Sequence, residues 1–103
     1  MNSQPECVID EDGTKQWFVG PKRHREDGPA WEDADGSKSW WINGRLHRED
    51  GPSVEGLEDG TKQWFLNGEE VEPEALVDLQ LSRGVFCYYD EEANELIFGG
   101  NND

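Results

Sequence analysis

A chain of 103 residues with 24 acidic and 9 basic side chains, a net charge of -15 and a hydrophobic content of 33% has room for one small domain cored by few, large side chains. The charge excludes the ordinary footprint of a nucleic-acid binder, a patch of Lys and Arg that neutralises phosphates, and it sets the chain against an anionic membrane surface. No apolar stretch approaches the roughly 18 residues of a membrane span, and no basic start followed by an apolar run opens the chain, so a cytoplasmic location is expected. Five Trp, four Phe and two Tyr supply the core, at roughly 150–250 Å² of burial each. Cys7 and Cys87 have neither CxxC nor metal-ligand spacing and are expected as reduced, small core residues.

In chain order, residues 6–9 read as a first strand and residues 10–13 as the turn after it. A repeat follows. His24-Arg25-Glu26-Asp27-Gly28-Pro29 returns 23 positions later as His47-Arg48-Glu49-Asp50-Gly51-Pro52. Asp-Gly pairs at residues 12, 35 and 59 each precede an aromatic pair, Trp17-Phe18, Trp40-Trp41 and Trp64-Phe65. A period of this size marks supersecondary units set side by side. Each unit offers a strand, a tight turn and a returning strand. Asn43-Gly44 and Asn67-Gly68 are strong hairpin signals, whereas Gly20-Pro21 requires another turn type because Pro cannot take a positive φ. Short runs joined by short connections predict an antiparallel meander of sequential neighbours, with residues 37–42 as one strand. Trp17, Trp40 and Trp64 should share one face, and Phe18, Trp41 and Phe65 the other. Residues 73–83 form the one good helix candidate, with Pro73 at its first position, leucines along one side and Gly84 as its stop. Residues 85–89 and 95–98 then suggest a terminal hairpin. The fold class expected is mainly β, a single domain over residues 1–103 with a hairpin-repeat sheet at 6–68 and an acidic helix plus hairpin at 69–103.

The run from Trp40 to Pro52, with its HRED-Gly-Pro core, resembles the MORN-like hairpin repeats, in particular the HREDGPA variant of phage and bacterial proteins, over roughly residues 12–68. The resemblance implies a twisted sheet of successive hairpins that serves as scaffold or binding surface. The chain departs from the usual MORN pattern, since Trp-Phe and His-Arg-Glu-Asp stand where Tyr and paired Gly are usual.

His24 and His47, with Glu26, Asp27, Glu49 and Asp50 close by, have the residue types of a metal or acid-base site. Because they recur with the repeat, they are expected instead to pack on an aromatic ring and hydrogen-bond a turn carbonyl. Lys22, Arg23, Arg25, Arg45 and Arg48 form two basic islands, expected to pair with carboxylates across strands. No nucleophile motif, phosphate loop or paired-metal spacing is present, so no catalytic, cofactor or metal residue is assigned and no enzyme is expected.

The C-terminal third carries ten acidic residues against Arg83 alone. Glu70, Glu72 and Glu74 alternate, and in extended chain they would project from one side at about 6.6 Å intervals. Such spacing imitates a sugar-phosphate backbone. Glu69, Asp78, Asp90, Glu91, Glu92 and Glu95 extend the field, and Trp41 and Phe65 are expected as exposed aromatic anchors near the sheet edge. The leading expectation is a non-enzymatic acidic binding protein that blocks the nucleic-acid groove of a basic nucleic-acid-binding enzyme, by analogy with anti-CRISPR and anti-restriction inhibitors. Its partner would be protein, with no nucleic acid or membrane bound directly. The alternatives are an assembly module, a homo-dimer included, and an antitoxin or immunity partner of a basic toxin.

Overall fold

Three tryptophan-led hairpins form the body of the computed structural model, which describes residues 4–56 and 60–99. The Asp-Gly pair at 59 straddles the edge of the described residues. Strand β1 (Glu6–Ile9) lies antiparallel to β2 (Lys15–Val19), which turns at Gly20-Pro21 into β3 (Lys22–Arg23). Strands β4 (Trp31–Glu32), β5 (Lys38–Ser39), β6 (Trp41–Ile42), β7 (Arg45–Leu46) and β8 (Val54–Glu55) complete the first two units. The third unit is the β9 (Trp64–Leu66) and β10 (Glu69–Val71) hairpin, followed by helix α1 (Pro73–Ser82) and the terminal hairpin of β11 (Cys87–Asp90) and β12 (Glu95–Phe98). All pairing is antiparallel, and the fold is mainly β with one helix, as the sequence predicts.

The sheet order is β1-β2-β4-β5-β8, with β3 branching from β2 off the path of the antiparallel hairpins. Each unit's leading strand changes partners midway. Residues 38–39 pair with β4 and β8, whereas 41–42 pair with β7. At the switch, Trp40 donates its N–H to the Ser53 carbonyl and accepts from the His47 N–H, which breaks the predicted 37–42 strand in two. Asn43 (φ 51°) and Gly44 (φ 81°), like Asn67 (53°) and Gly68 (85°), have the positive φ pair of type I′ turns. At Gly20-Pro21 only the glycine is positive (60°), the pattern of type II′ that proline permits.

The repeated hexapeptide stitches one unit to the next. His24 Nδ1 accepts the Asn43 backbone N–H (2.9 Å), and His47 Nδ1 accepts that of Asn67 (2.9 Å), so each imidazole captures the following unit's turn through an N–H rather than a carbonyl. The acceptor role of Nδ1 places the proton on Nε2, which faces Glu26 (3.3 Å) or Glu49 (2.9 Å). Arg48 lies over the Trp40 ring at 3.9 Å, donates from Nε to Asp50 (2.9 Å) and from Nη1 to the Pro52 carbonyl (3.1 Å); Arg25 does the same with Trp17, Asp27 and Pro29. Second carboxylates stand at 3.6 Å (Glu32 to Arg25) and 3.7 Å (Glu55 to Arg48), both from loop arginines rather than across paired strands. Arg23 has aromatic rings where the sequence predicts a carboxylate: it lies 4.9 Å over Trp31 and Trp41 and donates to Gln16 (2.7 Å). Gly28 and Gly51 leave room for these guanidinium groups. A Cβ at Gly51 would stand 2.7 Å from the Arg48 Cζ, against 3.0 Å between Gly28 and Arg25. Gly51→Ala should therefore cost about 1–3 kcal/mol, because Arg48 must leave its ring and its two acceptors, and Gly28→Ala should cost less. Urea unfolding of the two variants measures the difference.

The stack closes at both ends. Gly44 and Gly68 donate their N–H groups to the carbonyls of Arg23 and Leu46 in the preceding unit, at 2.8 Å each. Pro21, at the equivalent position of the first unit, has no N–H to give. In the third unit Val71 and Glu72 replace the His-Arg pair, and Pro73 starts a helix instead of the next turn.

Helix α1 then turns back over the units. Leu76 packs with Trp64 and Leu96, flanked by Leu66, Val71, Val77 and Tyr89, and the Trp64 and Tyr89 rings meet edge to face at 5.9 Å. At its far end Gln80 Nε2 donates to the Glu49 carbonyl (2.7 Å) and Arg83 to the Glu49 side chain (2.6 Å). The Arg83 hydrogen bond holds the Glu49 carboxyl below its usual range, with partial burial opposing it and His47 adding to it. Cys87 is buried, and its thiol is pushed up by burial, but Cys7 is exposed on β1 and is not the core residue expected; both are free. Cys7 lies opposite Trp17 in an edge strand whose four residues are all exposed.

Candidate functional site

The acidic residues of the C-terminal third lie on two segments that the fold brings together. On the first, Glu69 and Glu70 are exposed in β10, paired opposite Leu66 and Phe65. Glu72 continues extended (φ -80°, ψ 153°), and Pro73 then begins the helix. The regular every-second-residue ruler therefore ends at Glu72. Pro73 is pre-set for the first helical position, so Glu74 swings into the first helical turn, where the helix dipole favours a carboxylate. Asp78 follows one turn later, also exposed.

The second segment is the tip of the terminal hairpin. The Asp90 carboxylate accepts the N–H groups of Glu92 (3.0 Å) and Ala93 (3.3 Å), so it shapes its own turn. Glu91, Glu92 and Glu95 are exposed around it. Lys62 closes on the same loop, donating to the Asn94 carbonyl at 3.1 Å.

Tyr89 reports that the two segments share a field. Its hydroxyl donates to Asn94 Oδ1 (2.7 Å), and its ionisation is pushed up by burial first and then by the charges of Glu74, Glu91, Asp90 and Glu72. Of the residues the sequence singled out, these four lie on elements that pack together through Leu76, Leu96 and Tyr89, and their charges all act on Tyr89. Glu69, Glu70, Asp78, Glu92 and Glu95 lie on the same elements outside that set. Substituting Tyr88 by Phe leaves Tyr89 as the chain's one tyrosine. Its phenolate should then form above the ordinary value of about 10, and Glu74→Gln with Glu91→Gln should bring the midpoint down. Since the folded value is raised, the stability this group contributes is complete below the unfolded tyrosine value and is lost as pH rises through the folded one. Ultraviolet difference titration reads both effects.

Trp41 and Phe65 are not exposed anchors. Trp41 is half-buried beneath the Arg23 guanidinium, 4.9 Å from its ring, and its indole N–H donates to Ser39 Oγ (2.8 Å). Phe65 is half-buried, and its backbone exchanges hydrogen bonds with the Ser53 hydroxyl, at 3.1 Å each, while its carbonyl accepts the Arg48 N–H. Both positions are occupied in joining unit to unit. The exposed aromatics lie instead on the terminal hairpin, at Phe86, Tyr88 and Phe98.

A groove of about 900 Å³, open to solvent, runs between the first and second hexapeptides and the end of α1. Its charged groups are matched to one another: Asp27 to Arg25, Asp50 to Arg48, and Glu49 to both His47 and Arg83. Among the described residues no group of three His, Cys, Asp or Glu side chains is placed to hold a metal ion, and no helix is long and apolar enough to cross a membrane. Comparisons with protein-family models, curated proteins and solved structures find no match to this chain.

Proposed function

We propose that the chain is a non-enzymatic binding protein whose acidic C-terminal third occupies the nucleic-acid groove of a basic protein, as an inhibitor of the anti-CRISPR or anti-restriction type. The observation that carries this reading is the packing of α1 against the terminal hairpin through Leu76, Leu96 and Tyr89, which sets the exposed Glu72, Glu74 and Asp78 of one segment on elements adjoining the acidic tip with Glu91 and Glu92. Carboxylates on a folded frame take the place of phosphates against the partner's Lys and Arg, and the long-range field of a chain of charge -15 speeds encounter. The HRED hexapeptide is given a structural role instead, since Asp27 and Asp50 pair with Arg25 and Arg48 and the imidazoles of His24 and His47 take up the neighbouring unit's turn.

An array of purified nucleases and nucleic-acid-binding proteins, probed with the labelled chain, tests the reading. Binding to a basic member should weaken steeply between about 50 and 200 mM salt and be displaced by duplex DNA. Binding that is indifferent to both would refute it.

A further inference from the structure

The inner face of the terminal hairpin is used by the fold: Cys87 and Leu96 are buried there, and Tyr89 meets Trp64. Side chains alternate across a strand, so Tyr88 and Asp90 point outward on β11, with Phe86 just before it on the same side, and the register Tyr88 to Ile97 and Asp90 to Glu95 puts Ile97 and Glu95 beside them. Phe86 and Tyr88 are 57% and 50% exposed, and their rings lie 6.3 Å apart. This outer face is thus graded, aromatic toward the helix end and acidic toward the tip, where Glu91 and Glu92 are also exposed.

Resting on the function proposed above, we infer that this graded face is the anchoring surface, and that its occupant is a protein with an apolar recess bordered by Lys or Arg. Charge complementarity selects that occupant. A second copy packed here would bring Asp90 and Glu95 toward like charges on a partner that also carries -15. Nucleic acid stacked on the two rings would meet carboxylates where its phosphates need cations. The backbone that carries the rings is held before binding, because the Phe86 carbonyl accepts the Gly99 N–H (3.1 Å) and Tyr88 sits within the β11–β12 ladder. A fixed backbone limits the freedom lost on binding to the side-chain torsions, and buried aromatics with a polar rim are the usual centres of binding energy.

Phe86→Ala and Tyr88→Ala lie outside the core and should leave thermal unfolding unchanged. With the array member that binds the wild-type chain, each should weaken binding by about 30-fold or more while preserving its dependence on salt. If the double variant binds as tightly as wild type, the anchoring inference is wrong while the groove-blocking reading stands. If no basic member binds the wild-type chain, both fail. A wild-type dimer that dissociates in the double variant, read by light scattering, assigns the face to self-association and overturns the inference.

Discussion

Replacing Trp64 by alanine should cost about 3–5 kcal/mol, the range for a large aromatic removed from a packed core. A small domain of about 5–15 kcal/mol total stability would be left marginal. Trp64 belongs to the cluster that ties the C-terminal third together, with Leu76 from the helix and Leu96 from the terminal hairpin; Val71 packs against that cluster and the Tyr89 ring meets Trp64 edge to face at 5.9 Å. The same substitution at Trp17 should cost about 0.5–3 kcal/mol, because that ring is half-buried and its main partner is one guanidinium, Arg25 at 4.0 Å. Identical letters at identical repeat positions thus carry different loads. Urea titrations of the two variants decide it, and equal midpoint shifts would mean that the junction does not depend on Trp64.

The second large effect concerns binding. Reversing Glu72, Glu74 and Glu91 to lysine changes the local charge by six while leaving Leu76, Trp64 and Leu96 in place, so the fold should persist. Affinity for a basic target should fall by about 100-fold or more, and the slope of affinity against salt should flatten, since fewer counterions are exchanged. Reversing Glu26, Asp27 and Asp50 should leave target affinity nearly unchanged and lower stability instead, because Asp27 and Asp50 hold Arg25 and Arg48 over their tryptophans. Isothermal titration and thermal unfolding of both variants separate the two roles. Equal loss of affinity in both would mean that net charge, not its placement, determines binding.

Local chemistry was the legible part of this fold. The Asn-Gly turns, Pro73 at the helix start, Gly84 beyond its end and the terminal hairpin each follow from a short run of residues, and all are present. The partner change at Trp40 was not legible. Strands of two residues leave no periodicity to read, and the switch depends on Ser53, thirteen positions away. The role of the hexapeptide was half legible: recurrence marked His24 and His47 as structural, but only the tertiary fold shows that each reaches the next unit's turn. In the candidate site, alternation suggested a ruler through Glu74, yet the proline beside it bends the chain into a helix. What gathers Glu74 with Glu91 is the docking of helix on hairpin through Leu76 and Leu96, a contact no local pattern encodes. The repeat, where Trp and Phe are densest, is where the sequence points for exposed aromatics, but Trp41 and Phe65 are half-buried there. The exposed rings fall where the repeat has ended.

The decisive measurement is a competition titration: a basic target identified on the array, a labelled DNA duplex at fixed concentration, and increasing amounts of the wild-type chain. Occupation of the nucleic-acid groove predicts that the apparent Kd for DNA rises in proportion to the chain added, with no complex containing both. A ternary complex of target, duplex and chain, with the Kd for DNA unchanged, would contradict it.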